Sequence, residues 1–247
     1  NNLAVKEEME EVVVEEAILP NATAKNNVRV MYNEEMKTKK KIIYKIIKRM
    51  IDIIGALIGT VLLIPATIII YFARKFSKEE QGSLFYEQLR YGKNGKIFRL
   101  YKYRSMCIGA DEKLKEYLAN NEEARKEFKK THKLQNDPRI TKIGNFLRKT
   151  SLDELPQMIN ILKGDMSFVG PRPVVEKEVE EYGEKKEKFL SVKPGLTGYW
   201  QVNGRSNTTY EERMEMELYY VDNCSLWLDI KIFFKTFITV FKKEGAV

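Results

Sequence analysis

The pattern of polar and apolar positions divides the chain into stretches of very different character. Residues 1–36 show no sustained apolar period and are interrupted at Pro20 and Asn21, which predicts an arm that is at most partly helical. Residues 37–49 set Lys37, Lys39, Lys40, Lys41, Lys45, Lys48 and Arg49 among Ile and Tyr. Ile53 to Ala73 then runs for 21 residues without a charge and ends at Arg74 and Lys75. As a helix, such a run reaches roughly 31 Å, close to the hydrocarbon thickness of a bilayer. A core helix seldom needs so long an uncharged stretch, so insertion into a membrane is expected.

Pro65 sits in the middle of that run. There it removes one backbone donor and crowds the carbonyl of Val61, so a kink or break is expected. Both flanks are basic, the second continuing to Lys78. Positive charge marks the cytoplasmic side, so a crossing helix should be basic mainly at one end. A helix that enters, bends at Pro65 and returns places both flanks on one face, and this re-entrant arrangement is preferred here over a tilted, kinked span.

Beyond Lys78 the pattern becomes that of a water-facing domain. Phe85 to Tyr91 and Ile97 to Tyr103 read as strands around Lys93-Asn94-Gly95, and an Asn-Gly pair is a strong hairpin signal. Residues 110–130 read as one surface helix, and a further helix is predicted from near Ser151 across Leu155 to Leu162. Gly164 to Pro173 and Pro194 to Arg205 read as loops, Glu176–Leu190 as a charged helix, and 208–222 as a helix. Near the C-terminus Trp227, Ile230, Phe234, Phe237 and Phe241 recur at helical spacing beside Lys231, Lys235, Lys242 and Lys243. Such a helix can lie among lipid headgroups, or pack its stripe on the protein's own core. The expected domains are an acidic arm (1–36), a basic flank with a Pro-broken membrane helix (37–78), and a catalytic domain ending in an amphipathic helix (79–247).

Composition narrows the chemistry. The 247 residues include 43 Lys and Arg against 35 Asp and Glu, a formal net charge of +8. Residues 1–36 hold eight Glu against Lys6, Lys25 and Arg29, a net of −5, so residues 37–247 carry +13. That excess suits an anionic partner. The single His132 excludes a multi-histidine metal site, and Cys107 and Cys224 lack the spacing of a thiol zinc site or a disulfide framework. Position 1 is Asn rather than Met, which leads to the expectation that an earlier segment precedes this one.

Carboxylates, cations and a hard metal ion remain. The densest cluster is Arg148-Lys149-Thr150-Ser151-Leu152-Asp153-Glu154-Leu155-Pro156. Ser151 with Glu154 fits a capping box, although Pro156 then falls inside the first turns, so the helix starts later or its first turn is distorted. Functionally, a carboxylate at a helix start near Arg148 stays ionised as a nucleophile or metal ligand. Adjacent helical residues point about 100° apart, so Asp153 and Glu154 suit two different roles. Mg²⁺ is the metal an oxygen-only site selects. Lys102, Arg104, Arg148, Arg172 and Arg205, the last two in loops punctuated by Gly170 and Gly204, suit a diphosphate. No Walker loop or GxGxxG is present.

Ser-Leu-Asp-Glu-Leu-Pro-Gln (151–157), Gly-Asp-Met-Ser-Phe-Val-Gly-Pro-Arg-Pro (164–173), Lys-Pro-Gly-Leu-Thr-Gly (193–198) and Tyr-Lys-Tyr-Arg-Ser-Met (101–106) together resemble the bacterial sugar transferase family, the monotopic phosphoglycosyl transferases. The likeness runs from about Lys48 to Phe241. It implies a helix-rich α/β (α+β) membrane-associated domain with an N-terminal re-entrant helix broken at Pro65 and interfacial amphipathic helices. It also implies transfer of a sugar-1-phosphate from a UDP-sugar to undecaprenyl phosphate with release of UMP, dependent on Mg²⁺, at the start of capsule or exopolysaccharide assembly. On this resemblance Asp153 is the nucleophile and a metal ligand, and Glu154 is its partner. Arg148 and Arg172 bind phosphate and nucleotide, with Lys102, Arg104 and Asp229 as further substrate contacts. The family often has Ser before the proline, where this chain has Ile64, which leaves a freed carbonyl without that hydroxyl.

The implied location is the cytoplasmic face of a bacterial inner membrane. The implied partners are UDP-sugar, undecaprenyl phosphate and the bilayer, with no nucleic acid, and a homo-oligomer is left open. Two rivals are a non-catalytic membrane scaffold of the same fold and a membrane-tethered nucleic-acid binder stacking bases on aromatics set among its basic residues. No residue selects among glucose, galactose and N-acetylated amino sugars.

Overall fold

A computed structural model describes residues 22–77, 82–131, 134–204 and 208–241. The chain separates into two units, Asn1–Lys48 and Arg49–Val247. The first unit's described part belongs to a helix, α1, assigned from Ala22 to Phe76. The expected arm is thus helical over its last residues, and positions 1–21 lie outside the described residues.

In the second unit, α1 carries a sharply one-sided pattern. Asp52, Ala56, Leu63 and Ile70 are buried, at helical intervals, while Ile54, Ile58, Val61, Leu62, Ile64 and Ile69 stay 57–68% exposed. This is an apolar helix with one stripe covered and the rest bare, long and apolar enough to cross a membrane and compatible with membrane association. Helical structure continues across Pro65, so the break expected there does not interrupt the helix. Pro65 is itself exposed, so its missing donor lies on the uncovered side of the helix.

The stripe packs on a hairpin and a short helix. Strands β1 (Phe85–Tyr91) and β2 (Ile97–Tyr103) pair antiparallel, as the Asn-Gly signal predicts. Asn94 adopts φ 57° and ψ 28°, the left-handed turn that asparagine tolerates. On β2, Phe98 and Leu100 face inward at a period of two, and Tyr103 is buried at the strand's end. Helix α2 (Gln157–Lys163) completes this core, where Ala56 meets Phe98, Leu100, Met158, Ile161 and Met166. A neighbouring cluster joins Leu63 and Ile70 to Tyr103 and Leu147, and the Thr67 hydroxyl lies 2.6 Å from the Tyr103 hydroxyl.

Several expected elements are divided. The single helix over 110–130 is two, Ala110–Asn120 and Glu122–Thr131. Asn121 between them is extended, and its side chain accepts from the Ala124 N–H, starting a new helix. The charged helix over 176–190 breaks at Gly183 (φ 49°) into Glu176–Glu180 and Lys186–Phe189. Both expected loops contain strand: Ser167–Val169 and Gly195–Thr197 pair in parallel as β3 and β4, and Tyr199–Asn203 is helical. The helix Tyr210–Asn223 opens with a Thr209–Glu212 capping box.

In the last helix, α3 (Leu226–Phe241), Trp227, Ile230, Phe234 and Phe237 are exposed, while Ile232 is buried and Leu228 packs beside it.

Candidate active site

The turn around Asp153 departs from the helix start expected at Ser151. Ser151 is left-handed (φ 57°, ψ 14°) and makes no side-chain cap, so the capping box does not form. Leu152–Glu154 is a single 3₁₀ turn, and α2 proper begins at Gln157 with Pro156 as its cap. The Leu155 N–H bonds the Leu152 carbonyl and the Met158 N–H bonds the Leu155 carbonyl. In this tighter winding the proline nitrogen costs no regular helical bond, which resolves the placement of Pro156. A left-handed serine is a strained residue of the kind that persists where surrounding structure holds it.

Three neighbouring elements converge on this turn. Lys102, on β2, donates to Glu154 Oε1 at 2.6 Å. The register of that strand is held by Asn160 of α2, fully buried, which accepts from the Tyr101 N–H (3.1 Å) and donates to the Arg99 carbonyl (2.7 Å). Arg148 comes from the helix Lys142–Lys149, capped by Thr141, and its Nε donates to the Ser105 hydroxyl at 2.9 Å. Behind it Arg139 grips Asp137 with Nε at 2.8 Å and Nη2 at 2.6 Å. Arg172 follows β3 in Gly-Pro-Arg-Pro, and its N–H donates to Glu217 Oε1 at 3.1 Å. Gly170 packs so tightly on Lys193 and Gly195 backbone that no Cβ fits, and Gly195 and Gly198 are equally closed by Gly170.

The two adjacent carboxyls are driven in opposite directions. Burial pushes Asp153 up to about 6; Glu154 adds to this, while Lys102, Arg148 and its own backbone N–H oppose it. Asp153 is 9% exposed, and loss of hydration outweighs the neighbouring cations, so its value rises rather than falls, although a carboxyl at about 6 is still mostly ionised at neutral pH. Burial also raises Glu154, but Lys102, Arg172 and hydrogen bonds with Lys102 and Gln157 outweigh it, leaving Glu154 below the usual carboxylate value. One group is thus poised near neutrality and its neighbour is firmly ionised, a separation that assigns different roles. The same burial lowers Arg148 from the ordinary arginine value.

Lys102, Arg148 and Arg172 are therefore brought to the Asp153–Glu154 pair. Arg104 is engaged elsewhere: its Nε and Nη2 donate to Ser83 at 3.0 Å each, and its guanidinium lies 5.4 Å from the Tyr86 ring. Asp229 is buried in α3 and accepts from the Tyr220 hydroxyl at 2.6 Å, a contact between helices. Arg205 lies outside the described residues. Pro65 lies on the uncovered side of α1. Among the described residues no three His, Cys, Asp or Glu side chains group as a metal site. The carboxylate oxygens of Asp153 and Glu154 are the hard donors that could hold a metal ion at this turn.

A sequence profile of bacterial sugar transferases matches residues 43–243. The chain belongs to the bacterial sugar transferase family. Over 202 residues it is 47% identical to the undecaprenyl-phosphate galactose phosphotransferase of Salmonella typhimurium, covering 82% of this chain and 42% of that protein. The UDP-glucose:undecaprenyl-phosphate glucose-1-phosphate transferase of Escherichia coli is 41% identical over 206 residues, 80% of this chain and 40% of its own length. The exopolysaccharide production protein ExoY of Rhizobium meliloti is 45% identical over 199 residues, 81% of this chain and 87% of its own. The chain thus spans less than half of the Salmonella and Escherichia relatives and most of the Rhizobium one. The family match takes in all four motifs, so the turn, its three cations and the glycine-closed loop lie within the shared region.

Reading the sequence missed three supports of this site: Asn160, the Asp137–Arg139 pair and Glu217. Asn160 carried a signal, an amide inside the apolar run Met158–Leu162. Glu217 lies in a helix as charged as any surface helix, so nothing local marks it as buried.

Proposed function

We propose that this chain transfers a sugar-1-phosphate from a UDP-sugar to undecaprenyl phosphate, at the cytoplasmic face of a bacterial inner membrane, at the start of exopolysaccharide or capsule assembly. The observation that carries the reading is the split between Asp153, poised at about 6, and Glu154, held below its usual value, with Lys102, Arg148 and Arg172 drawn round them. Relatives named for galactose and glucose transfer to undecaprenyl phosphate supply the substrate class.

The steps balance as a two-stage exchange. One Asp153 oxygen attacks the β-phosphorus, forming an acyl phosphate as the bridging P–O bond breaks and UMP departs with that oxygen. A phosphate oxygen of undecaprenyl phosphate then attacks the same phosphorus, forming the lipid diphosphate and returning the Asp153 carboxylate. Glu154 keeps Lys102 aimed at the phosphates, and Arg172 and Arg148 neutralise charge on the nucleotide side. Mg²⁺, held by Asp153 with Glu154 beside it and by the substrate's diphosphate, would offset repulsion between the anionic nucleophile and the donor. The bare faces of α1 and α3 would sit in lipid, each exposed isoleucine or phenylalanine gaining roughly 1 kcal/mol on leaving water.

The test is protein in nanodiscs with Mg²⁺, undecaprenyl phosphate and UDP-galactose, UDP-glucose or N-acetylated UDP-amino sugars. UMP release with one or more donors is expected. A hexose-phosphate adduct on the Asp153 peptide should accumulate when acceptor is withheld. No UMP with any donor, or turnover with no adduct, would overturn the reading.

A further inference from the structure

One turn of α1, at the edge of its apolar run, grips both arms of the site. The Arg49 guanidinium forks onto the carbonyls of Ile161 (2.6 Å) and Leu162 (2.8 Å), the last turn of α2. Ile161 also accepts from the Gly164 N–H at 3.0 Å, and both carbonyls lie at the negative end of the helix, so a planar cation suits them. Three residues further along α1, Asp52 accepts from the Ser167 hydroxyl (3.0 Å) and the Phe168 N–H (2.9 Å), in β3. Helix α2 has Asp153 and Glu154 just before its start, and β3 leads directly into Gly170-Pro-Arg172. Asp52 is 3% exposed and Ser167 fully buried, so this is an interior contact.

Apart from the Thr67 hydroxyl, 2.6 Å from the Tyr103 hydroxyl, the remaining contacts along the stripe are of another kind. Gly55 lies against the Phe168 ring, Gly59 against Met158, and Leu63 packs in the cluster that includes Leu155 and Ile159. Small and apolar surfaces slide past one another with little penalty, whereas a fork on two named carbonyls and a carboxylate on one N–H do not. A slip of one residue, about 1.5 Å along the axis, breaks both. Ile53, the first residue of the uncharged run, follows Asp52 directly.

We infer that Arg49 and Asp52 are positioning residues that fix the depth of the Asp153 turn relative to the lipid, and so serve the lipid-acceptor half of the reaction rather than the nucleotide half. This rests on the reading given under Proposed function. A soluble donor reaches the turn at any depth, but a membrane-bound phosphate meets it at one level only.

The experiment uses Arg49→Gln and Asp52→Asn proteins, with Arg49→Lys as the conservative control, in nanodiscs. Donor-stage UMP release without acceptor should stay within about twofold of the unaltered protein. The KM for undecaprenyl phosphate should rise about tenfold or more, and a short-chain, water-soluble polyprenyl phosphate in detergent should erase the difference. Arg49→Lys keeps a cation but loses the fork and should fall between. Equal loss in both stages, or no loss in the acceptor stage, overturns the inference. A second readout is independent of turnover: quenching of Trp227 by lipids brominated at graded depths, with Trp227→Phe protein giving the share of Trp200. The quenching maximum should shift in both variants, and an unmoved maximum overturns the inference even where activity is lost by poor folding. If the unaltered protein releases no UMP, the proposed chemistry fails, and the quenching profile alone judges the clamp.

Discussion

The turn Ser151–Pro156 and the covered stripe of α1 from Asp52 to Ile70 lie on either side of the same core and are built on opposite principles. The turn has a left-handed serine, tight 3₁₀ bonding and a buried carboxyl raised to about 6. The stripe is regular helix whose inward positions are mostly small or apolar, apart from the bonded Asp52 and Thr67. The first region holds unfavourable free energy where reactivity needs it, and the second offsets it by close packing. Changes in the turn should therefore alter chemistry far more than stability, even in the stabilising direction, and changes in the stripe should do the reverse.

The sharpest test is Asp153→Asn. Transfer should fall by at least about 10³-fold, measured as UMP release. The folded carboxyl titrates at about 6 against 3.8 for an ordinary one, so its protonated form stabilises the fold fully below about pH 4, and that contribution is lost as pH rises through 6. Asn has no such charge, so the variant should melt higher than the unaltered protein above pH 6, by up to about 3 kcal/mol, with the gap closing towards pH 4. A variant less stable at pH 8 would break the comparison.

Next comes Lys102→Ala, expected to lower turnover roughly 10²-fold. Lys102 opposes the upward shift of Asp153, so its removal should move the acidic limb of the donor-stage pH profile above 6. An unmoved limb would mean that the lysine acts on substrate alone.

Glu217→Gln probes the support of Arg172. Burial pushes Glu217 up to about 7, opposed by the Arg172 N–H and by Arg213. Its neutral form stabilises the fold below about pH 4.5, and this is lost as pH rises through 7. Gln keeps the acceptor oxygen and carries no charge, so thermal melting at pH 8 should show it about 1–3 kcal/mol more stable. Glu217→Ala should instead lose the Arg172 contact and raise the KM for the UDP-sugar.

The smallest effect on chemistry should come from the stripe. A Cβ at Gly59 would lie 2.6 Å from the Met158 sulfur, the far end of a flexible side chain. Gly59→Val should cost about 1–3 kcal/mol of stability by overpacking and leave the pH profile of UMP release unmoved. A shifted profile would show that stripe and turn are not separable.

The two regions also differ in how far the sequence disclosed them. The long uncharged run, the hairpin at Asn94-Gly95 and the helix opened by Thr209 were legible because periodicity and turn chemistry act locally. Asp153, Glu154, Lys102 and Arg172 were legible as candidates through the four motifs, and Arg148 through the charged cluster that precedes Ser151. The 3₁₀ geometry was only half visible, in the awkward Pro156. The direction of the Asp153 shift was not visible at all, since burial depends on what packs over the turn. Arg104 was less legible: two residues from Lys102, it shares an even-numbered side of the strand pattern, but the strand ends at Tyr103 and Arg104 donates to Ser83. Arg49 read as the tail of a basic cluster and Asp52 drew no reading, because their partners lie more than a hundred residues away.

The glycine-closed junction of Gly170, Gly195 and Gly198 bears on how such an enzyme can be re-engineered. Backbone there abuts backbone, leaving no volume for even a methyl group. Diversity introduced at those three positions is wasted in a library, because no neighbouring rotamer can move aside. New donor preferences have to be sought in side chains around the loop, with the loop's own trace left as inherited.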